Sequence, residues 1–193
     1  PGLVMMSVIT NSYGNVVGSF FNAKIQGHIE ELLVSPLSEV SIVIGYLAGG
    51  IIRGLAVATV VTFIALFFTQ INIKHPLMTL FVIIMTAGVF SLAGLINAIF
   101  AKKFDDIAVI PSFVLTPLTY LGGVFYTVSL LPEFWQTLSR FNPILYMINS
   151  MRYSVIGISD VSIQNALMMI VVFFILLFAT AVILLKKGIG IRQ

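Results

Sequence analysis

Five long apolar stretches constrain this chain more than any other feature of its sequence. About 20 mostly apolar residues are needed for a helix to cross the hydrocarbon core of a bilayer. Only 9% of the 193 residues are charged, against about 25% in a typical soluble domain. The sequence therefore predicts an all-α, polytopic membrane helix bundle with five transmembrane helices. The stretches run from Leu3 to Phe21, Ile42 to Phe68, Leu77 to Phe100, Ile107 to Tyr126 and Ile163 to Leu185.

The basic residues between these stretches predict the orientation of the chain, because cytoplasmic loops carry an excess of Lys and Arg. If the spans alternate, six cations fall on one side and three on the other. This favours a cytoplasmic C-terminus and an external start, so an earlier span is expected to be missing. The six are Lys24, Lys102, Lys103, Lys186, Lys187 and Arg192, and the three are Lys74, Arg140 and Arg152.

Two connections between the spans are predicted to be helical. The cytoplasmic one, from Asn22 to Ser41, should hold one short helix that ends at Ser35-Pro36, because the residue before a proline disfavours the helical conformation. The external one, from Thr127 to Asp160, should hold two short helices separated by Asn142-Pro143. Each piece is too short to span, so both are expected at the membrane interface, with Trp135 and Tyr146 as anchors.

Polar residues inside two stretches are candidates for a transport pathway. Arg53 lies near the middle of the second stretch, where a charge costs roughly 2.5–3.5 kcal/mol on insertion scales. Arg53 could neutralise an anionic substrate or line a polar pathway. Alternatively, its charge is paired with backbone or side-chain groups of the protein, or its side chain snorkels towards the cytoplasmic surface. In the first stretch a polar ridge recurs at steps of four. It either lines a route or forms hydrogen bonds between helices, which is the commoner role. The ridge is Ser7, Asn11, Asn15 and Ser19.

Glycine and proline patterns add two expectations about the helices. Three GxxxG pairs predict close helix packing. In the fourth stretch, two prolines and a glycine pair predict a helix that bends or breaks. The GxxxG pairs are Gly14/Gly18, Gly45/Gly49 and Gly50/Gly54, and the breakers are Pro111, Pro117 and Gly122-Gly123.

The residue inventory excludes several kinds of chemistry. The sequence has no GxxxxGK[ST] motif, so this chain does not bind ATP through a P-loop. His28 and His75 are predicted on opposite sides, which excludes a zinc pair within one chain. All seven carboxylates are predicted outside the spans, which counts against an ion-coupled carrier. Asp105-Asp106 is either a metal or catalytic pair or, more simply, part of a solvated loop beside Lys102 and Lys103.

Seven short segments, taken in order along the chain, resemble the permease subunit of a type-2 ATP-binding-cassette exporter. The likeness is to the short inner-membrane transport permeases of Gram-negative bacteria. The set covers most of the chain and is fairly specific, although no single piece is. The segments are Pro1-Gly2-Leu3, Ile29 to Pro36, Phe104-Asp105-Asp106, Leu115 to Tyr126, Leu131-Pro132, Phe141-Asn142-Pro143 and Met151-Arg152-Tyr153.

The resemblance implies one transmembrane permease domain over residues 1–193, lacking the N-terminal amphipathic helix and first of six spans. It implies a homodimer in the bacterial inner membrane with two separate ATPase subunits. ATP and Mg would then bind to the partner, and this chain would be neither an enzyme nor a cofactor-binding or nucleic-acid-binding protein. The stretch Gln26 to Ser38 matches the coupling helix that docks on the ATPase. The expected coupling residues are Gln26, His28, Glu30, Glu31, Leu33, Pro36, Asp105 and Asp106.

The same resemblance implies that Leu131 to Ile156 forms an external re-entrant pair of helices that closes the pathway. Its expected residues are Pro132, Trp135, Asn142, Pro143 and Arg152, and the expected pathway residues are Ser7, Asn11, Asn15, Arg53, Thr116, Thr119 and Tyr120. The predicted function is ATP-driven export by alternating access. An ion-coupled carrier or channel is the main alternative, and a membrane scaffold or intramembrane enzyme is a third. The substrate is not predicted.

Overall fold

The computed structural model describes residues 1–69 and 73–190, apart from the side chains of Glu30, Leu33, Val34 and Ser129. The described residues form nine α-helices and no strand. A π-helical segment, Pro111–Leu115, joins the fifth helix to the sixth, and a 3₁₀ turn, Val128–Leu130, precedes the seventh. The α-helices are α1 Gly2–Ile25, α2 His28–Val34, α3 Glu39–Leu66, α4 Pro76–Phe100, α5 Phe104–Ile110, α6 Thr116–Leu121, α7 Glu133–Arg140, α8 Pro143–Ile156 and α9 Ile163–Lys187.

Four helical segments in the described residues are long and apolar enough to cross a membrane. They are α3, α4, the continuous segment Phe104–Leu121, and α9. The all-helical membrane fold is therefore confirmed. The first stretch also forms a helix, α1, whose 24 residues span about 36 Å at 1.5 Å per residue. The polar ridge lowers the mean hydropathy of α1, so α1 is not among the four apolar segments of membrane-spanning length. The count of five spans therefore stays a prediction.

The helix α1 lies at the centre of the bundle, between α3 and α4. Met5, Ile9 and Phe20 on α1 are fully buried. The buried Tyr13 hydroxyl accepts a hydrogen bond of 2.7 Å from Asn97 Nδ2 on α4. One face of α1 is therefore buried against two neighbours, with a polar pair satisfied inside, while α4 contacts α1, α3, α8 and α9.

The fourth predicted span differs from expectation at its end. The prediction ran to Tyr126, but α6 ends at Leu121 and the chain turns at Gly122 and Gly123, where Gly123 has φ of 81°. A left-handed residue ends a helix, and glycine adopts that conformation without strain. The predicted break is confirmed by the π-helical segment that begins at Pro111. Proline lacks the N–H that a regular helix needs, which explains the local change of pitch.

The ends of α1, α4 and α9 meet at what we call the lysine end. Lys24 Nζ donates hydrogen bonds to the backbone oxygens of Ile99, at 2.6 Å, and Ala101, at 2.9 Å. The Cα of Gly190, beyond α9, is so close to Ile99 that a Cβ there would lie 2.7 Å from the Ile99 oxygen. The structure thus gathers five of the six predicted cytoplasmic cations, and Arg192 lies outside the described residues. These five are Lys24, Lys102, Lys103, Lys186 and Lys187.

The opposite end of the bundle holds the external candidates. The backbone N–H of Lys74 donates to the Val155 oxygen at 3.3 Å, and that of His75 donates to the Ser154 oxygen at 2.9 Å. The start of α4 is thereby fixed to the end of α8. His75 therefore lies at the other end from His28, as predicted. Which side of the membrane each end faces stays a prediction.

Candidate functional site

Two glycines of α3 bring it into close contact with α1. A Cβ on Gly50 would lie 2.7 Å from Val16 Cγ2, and a Cβ on Gly54 would press on Ser12 Oγ of α1 and lie 2.8 Å from Ala87 Cβ of α4. Distances under about 3.4 Å are tighter than ordinary van der Waals contact. The GxxxG prediction of close packing is confirmed for this pair.

The other GxxxG glycines do not pack in this way. No described atom lies within 4 Å of a Cβ placed on Gly14, Gly18 or Gly45. A Cβ on Gly49 would meet Asn15 Nδ2 at an ordinary 3.7 Å. Within the described chain, the prediction of close packing is therefore wrong for Gly14/Gly18 and Gly45/Gly49. Gly14, Gly18 and Gly45 face open space.

The open glycines of α1 lie in a surface pocket of about 400 Å³ between α1 and α3. We call it the polar groove. It brings together three residues predicted to serve the pathway: Asn11, Asn15 and Arg53. The fourth residue of the polar ridge, Ser19, lines it too, whereas Ser7 does not. The full lining is Thr10, Asn11, Gly14, Asn15, Gly18, Ser19, Asn22 and Arg53.

The hydrogen bonds of the groove run along α1 and not between helices. Asn11 Nδ2 donates to the Ser7 oxygen at 3.0 Å, and Thr10 Oγ1 donates to the Met6 oxygen at 2.9 Å. Arg53 is exposed, and no hydrogen bond or ion pair joins it to another described residue. Within the described part of the chain, the groove residues do not bond α1 to a neighbouring helix.

Three further pathway candidates lie apart from the groove, on the fourth apolar segment. The hydroxyl of Thr116 donates to the Pro111 oxygen at 2.9 Å, and that of Thr119 donates to the Leu115 oxygen at 2.6 Å. Tyr120 stacks on a neighbouring aromatic ring. Both threonines therefore satisfy backbone oxygens of their own helical segment. Their place in a pathway stays a prediction.

At the opposite end from the lysines, Arg152 joins three parts of the chain in what we call the arginine clamp. Its Nη1 donates to Asp160 Oδ2 at 3.0 Å, and its Nη2 donates to the Gly123 oxygen at 2.8 Å and the Tyr126 oxygen at 3.3 Å. The side chains of Arg152 and Asp160 are only 16% and 18% exposed. Asn149 Oδ1 accepts from the Asp160 N–H at 2.9 Å. The clamp holds α8, the turn after α6 and the loop before α9 together.

The predicted pair of short external helices is present as α7 and α8. Asn142 separates them as predicted: its Oδ1 caps α8 by accepting from the Ile144 N–H at 3.0 Å, and its Nδ2 donates to the Leu118 oxygen at 2.6 Å. Pro143 takes the first position of α8 and Pro132 precedes α7. Prolines suit these positions because the first N–H groups of a helix have no partner within it. Trp135 on α7 is 43% exposed, which suits an interfacial anchor.

At the lysine end, the short helix predicted between Asn22 and Ser41 is present as α2, and its coupling role stays a prediction. Gly27, with φ of 78°, turns the chain between α1 and α2, and Ser35 ends α2 with its hydroxyl donating to the Leu32 oxygen at 2.6 Å. Ile29 is only 2% exposed and anchors the helix to the bundle. Four coupling candidates in and beside α2 are exposed, whereas the side chains of Glu30 and Leu33 lie outside the described residues. These four are Gln26, His28, Glu31 and Pro36.

The two adjacent aspartates have different surroundings. Asp106 Oδ2 accepts from the backbone N–H groups of Lys102, at 2.8 Å, and Lys103, at 3.0 Å. It therefore caps α5, where a negative charge is also favourable beside the helix dipole. Asp105 is exposed beside it. Both side chains are exposed, as the simpler reading predicted, but they lie in the first turn of α5 and not in a loop.

Three carboxylates lie closer to the membrane segments than expected. Glu39 is the first residue of α3, and Asp105 and Asp106 fall in the first turn of α5. The prediction that all seven lie outside the spans is wrong for these three, since the helices begin one turn before the apolar sequence does. They still lie at helix ends, so the described spans carry no acid near their midpoints.

A helical bundle with four membrane-length apolar segments defines a multi-pass membrane protein. The profile described as ABC-2 type transporter matches residues 1–156. The chain therefore belongs to the ABC-2 type transporter family, and it is a transmembrane subunit of an ABC transporter. The resemblance seen in the sequence is confirmed.

The chain is similar in sequence to two kinds of named protein, at different levels of identity. The chain is 52% identical over all of its 193 residues to the inner membrane transport permease YadH of Escherichia coli strain K12, and it covers 75% of that protein. It is 23% identical over 185 residues to nodulation protein J of Rhizobium leguminosarum bv. viciae, covering 94% of this chain and 71% of the relative. No solved structure matches.

Sequence reasoning missed two residues that the structure makes important. Asp160 was assigned no role, although it is the ion-pair partner of Arg152. Lys24 was read only as an orienting charge, although it caps the end of α4. Arg152 and Asp160 do not share a helix, because α8 ends at Ile156. Only the turn after α8, at Gly157 with φ of 85°, brings the two together.

Proposed function

We propose that this chain is the permease of an ATP-driven exporter in the bacterial inner membrane. It works as a homodimer with two separate ATPase subunits, and ATP and Mg bind to those subunits. The lysine end and the C-terminus face the cytoplasm. ATP binding pushes α2, and the spans switch access to the polar groove from one side to the other. The observation that carries the proposal is α2 itself, a rigidly anchored helix with a polar exposed face beyond the membrane segments.

Two features of α2 suit it to transmit movement. Ile29 is buried and Leu32 packs against the core, so a force on the helix reaches the spans directly. The helix α2 is connected directly to α1 through the turn at Gly27. Because α1 forms the wall of the groove, displacement of α2 would be passed to the groove residues. The ring centroids of Phe104 and Phe21 are 5.0 Å apart, so the start of α5, after the loop from α4, also contacts α1 at this end.

The homodimer is supported by helix faces that the single chain leaves uncovered. In the segment Phe104–Leu121 only 6% of the most apolar window is buried, compared with 67% for α4. Phe113 in that segment is 76% exposed. The polar groove is also open, and polar groups are unfavourable against lipid. A second copy that covers the groove would enclose a polar route between the two subunits.

An ion-coupled carrier or channel remains the alternative function. Such proteins hold the coupling ion on an acid within the membrane. The described spans have acids only in their first turns, at Glu39, Asp105 and Asp106. Transport driven by an ion gradient without ATP would establish this alternative in place of the exporter.

The docking role of α2 is tested by charge reversal at Glu31. In the full-length permease expressed with its ATPase subunit, Glu31→Lys should reduce the amount of ATPase that co-purifies by about tenfold, because like charges facing each other across an interface are repelled. Permease-dependent ATP hydrolysis should fall with it. The measurement is the ratio of the two subunits after purification in detergent.

The matched control is Glu133→Lys, an equally exposed charge reversal on α7 at the other end of the bundle. It should leave the subunit ratio unchanged. Equal ratios for Glu31→Lys and the unchanged protein would show that the docking surface lies elsewhere.

A further inference from the structure

We propose that the polar groove is a binding site for an anionic group, a phosphate or carboxylate, with Arg53 as its counter-charge. The proposal rests on the proposed function, because it assigns the group to the molecule that the permease carries. It begins with the position of Arg53 near the midpoint of the 28-residue α3. At 1.5 Å per residue, each end of that helix is about 20 Å away. A helix centred on a hydrocarbon core of about 30 Å places its midpoint roughly 15 Å from either headgroup region, which is more than an arginine side chain can reach by snorkelling.

The second step concerns the partners of Arg53. A charged group within the membrane is normally paired with another charge or with backbone oxygens. Arg53 has no such partner among the described residues, and none of the residues that line the groove with it is acidic. The groove therefore carries one uncompensated positive charge. A partner from outside the described chain must supply the negative charge or its equivalent.

The third step concerns the space and the chemistry beside the guanidinium. Gly14 and Gly18 leave room, because no described atom lies within 4 Å of a Cβ placed on either. Asn15 and Ser19, with no hydrogen bond to a described residue, supply further donors on the same wall. An arginine fork beside neutral amide and hydroxyl donors matches a phosphate or carboxylate, which accepts several hydrogen bonds at once. A cationic substrate would be repelled by Arg53.

The test uses the full-length permease with its ATPase in phosphatidylcholine nanodiscs. The 193 residues contain no cysteine, so Gly18→Cys supplies the only thiol once any cysteine elsewhere in the protein is replaced by serine. The rate of labelling by a negatively charged methanethiosulfonate (sulfonatoethyl) is divided by the rate for a positively charged one (trimethylammonioethyl). Arg53→Gln should lower this ratio about tenfold, because it removes the charge that attracts one reagent and repels the other.

Gly45→Cys is the matched control, since Gly45 is an equally open glycine on α3 that does not line the groove. Its ratio should change less than twofold on Arg53→Gln. Ser19→Cys serves as a second reporter in the groove if Gly18→Cys does not fold. An unchanged ratio at the groove reporter, or no labelling by either reagent, would overturn the proposal.

Ligand protection then identifies the class of group. Dodecyl phosphate should slow labelling of Gly18→Cys by neutral methyl methanethiosulfonate at least fivefold, and Arg53→Gln should abolish this protection. Dodecyl phosphocholine has the same tail but no net charge and should not protect. Equal protection by both, or by neither, would contradict an anion site.

Two further additions separate the sources of the anion. Protection by phosphatidylglycerol in the nanodisc would assign the site to a bilayer lipid headgroup, and protection by inorganic phosphate alone would assign it to a free anion. Co-purification of the ATPase is measured on the same samples. Loss of ATPase binding with an intact labelling ratio would refute the exporter and leave the anion site standing.

Discussion

Two of the described arginines, Arg53 and Arg152, have opposite relations to the rest of the chain. Arg152 is 16% exposed and makes three hydrogen bonds, one of them to the carboxylate of Asp160. Arg53 is exposed in a groove near the middle of a membrane-length helix and has no partner among the described residues. The energetic need for a partner is greater at Arg53, because its helix crosses the part of the membrane that excludes water.

This difference indicates a structural role for Arg152 and a binding role for Arg53. A guanidinium whose donors are used within the chain contributes to structure, and its removal leaves a carboxylate and two backbone oxygens without their partner. A guanidinium whose donors are free contributes little to the fold of the single chain. It is available to something outside the chain, and an anionic ligand satisfies it better than lipid does.

The largest expected effect separates the two arginines directly. Arg152→Gln should destabilise the full-length permease by about 2–3 kcal/mol, because it leaves the Asp160 carboxylate, whose side chain is 18% exposed, and two backbone oxygens without their partner. Arg53→Gln should change stability by less than about 0.5 kcal/mol. The measurement is unfolding by sodium dodecyl sulfate in mixed micelles, followed by circular dichroism.

The control for that comparison is the double variant Arg152→Gln with Asp160→Asn. Neutralising both partners removes the unpaired charge, so part of the lost stability should return. If Arg152→Gln and Arg53→Gln were equally stable, the arginine clamp would contribute no more to the fold than an exposed side chain does.

A smaller effect is expected from the close contact of Gly54, the residue after Arg53, with α1 and α4. Gly54→Ala should destabilise the protein by about 1–3 kcal/mol, because its Cβ would lie 2.8 Å from Ala87 Cβ and closer to Ser12 Oγ. Gly45→Ala, on the same helix with open space around it, should be neutral or slightly stabilising, because alanine favours helix. Thermal unfolding in detergent measures both. Equal melting temperatures would mean that α1 and α3 are not in close contact there.

The smallest effect compares two asparagines, one that caps α8 and one that lies in the polar groove. Asn142→Ala should cost about 1 kcal/mol, since it removes the cap of α8 and the hydrogen bond to the Leu118 oxygen. Asn11→Ala, in the groove, should cost less than about 0.5 kcal/mol, because its amide bonds only an oxygen of its own helix. Chemical unfolding of the two variants side by side checks this. A larger loss for Asn11→Ala would show that the groove is part of the folded core.

Much of the architecture followed from local sequence. The bounds of α3, α4 and α9 agree with the apolar stretches within three residues at each end. The stop at Ser35-Pro36, the cap at Asn142 and the break at Pro111 agree as well. These features depend on side-chain hydropathy and on backbone preferences of proline and asparagine, which act over one or two turns.

The arrangement of the helices was decided by tertiary structure. Sequence alone did not distinguish the packed GxxxG pair, Gly50/Gly54, from the open one, Gly14/Gly18, because the motif is the same and only the position of the neighbouring helix differs. The sequence left two roles open for the polar ridge of α1, with bonding between helices the commoner one, and only the tertiary structure places Arg53 of α3 beside it. In the same way, Asp160 became a partner of Arg152 only through the turn at Gly157.

The sequence by itself therefore determined that this chain is a membrane helix bundle, because hydropathy is a property of each segment taken alone. It also carried the family likeness that the ABC-2 profile confirms. Which arginine is paired and which is free was decided only by the fold. Pairing depends on atoms that are distant in sequence, and the distances between them are set by how the helices pack.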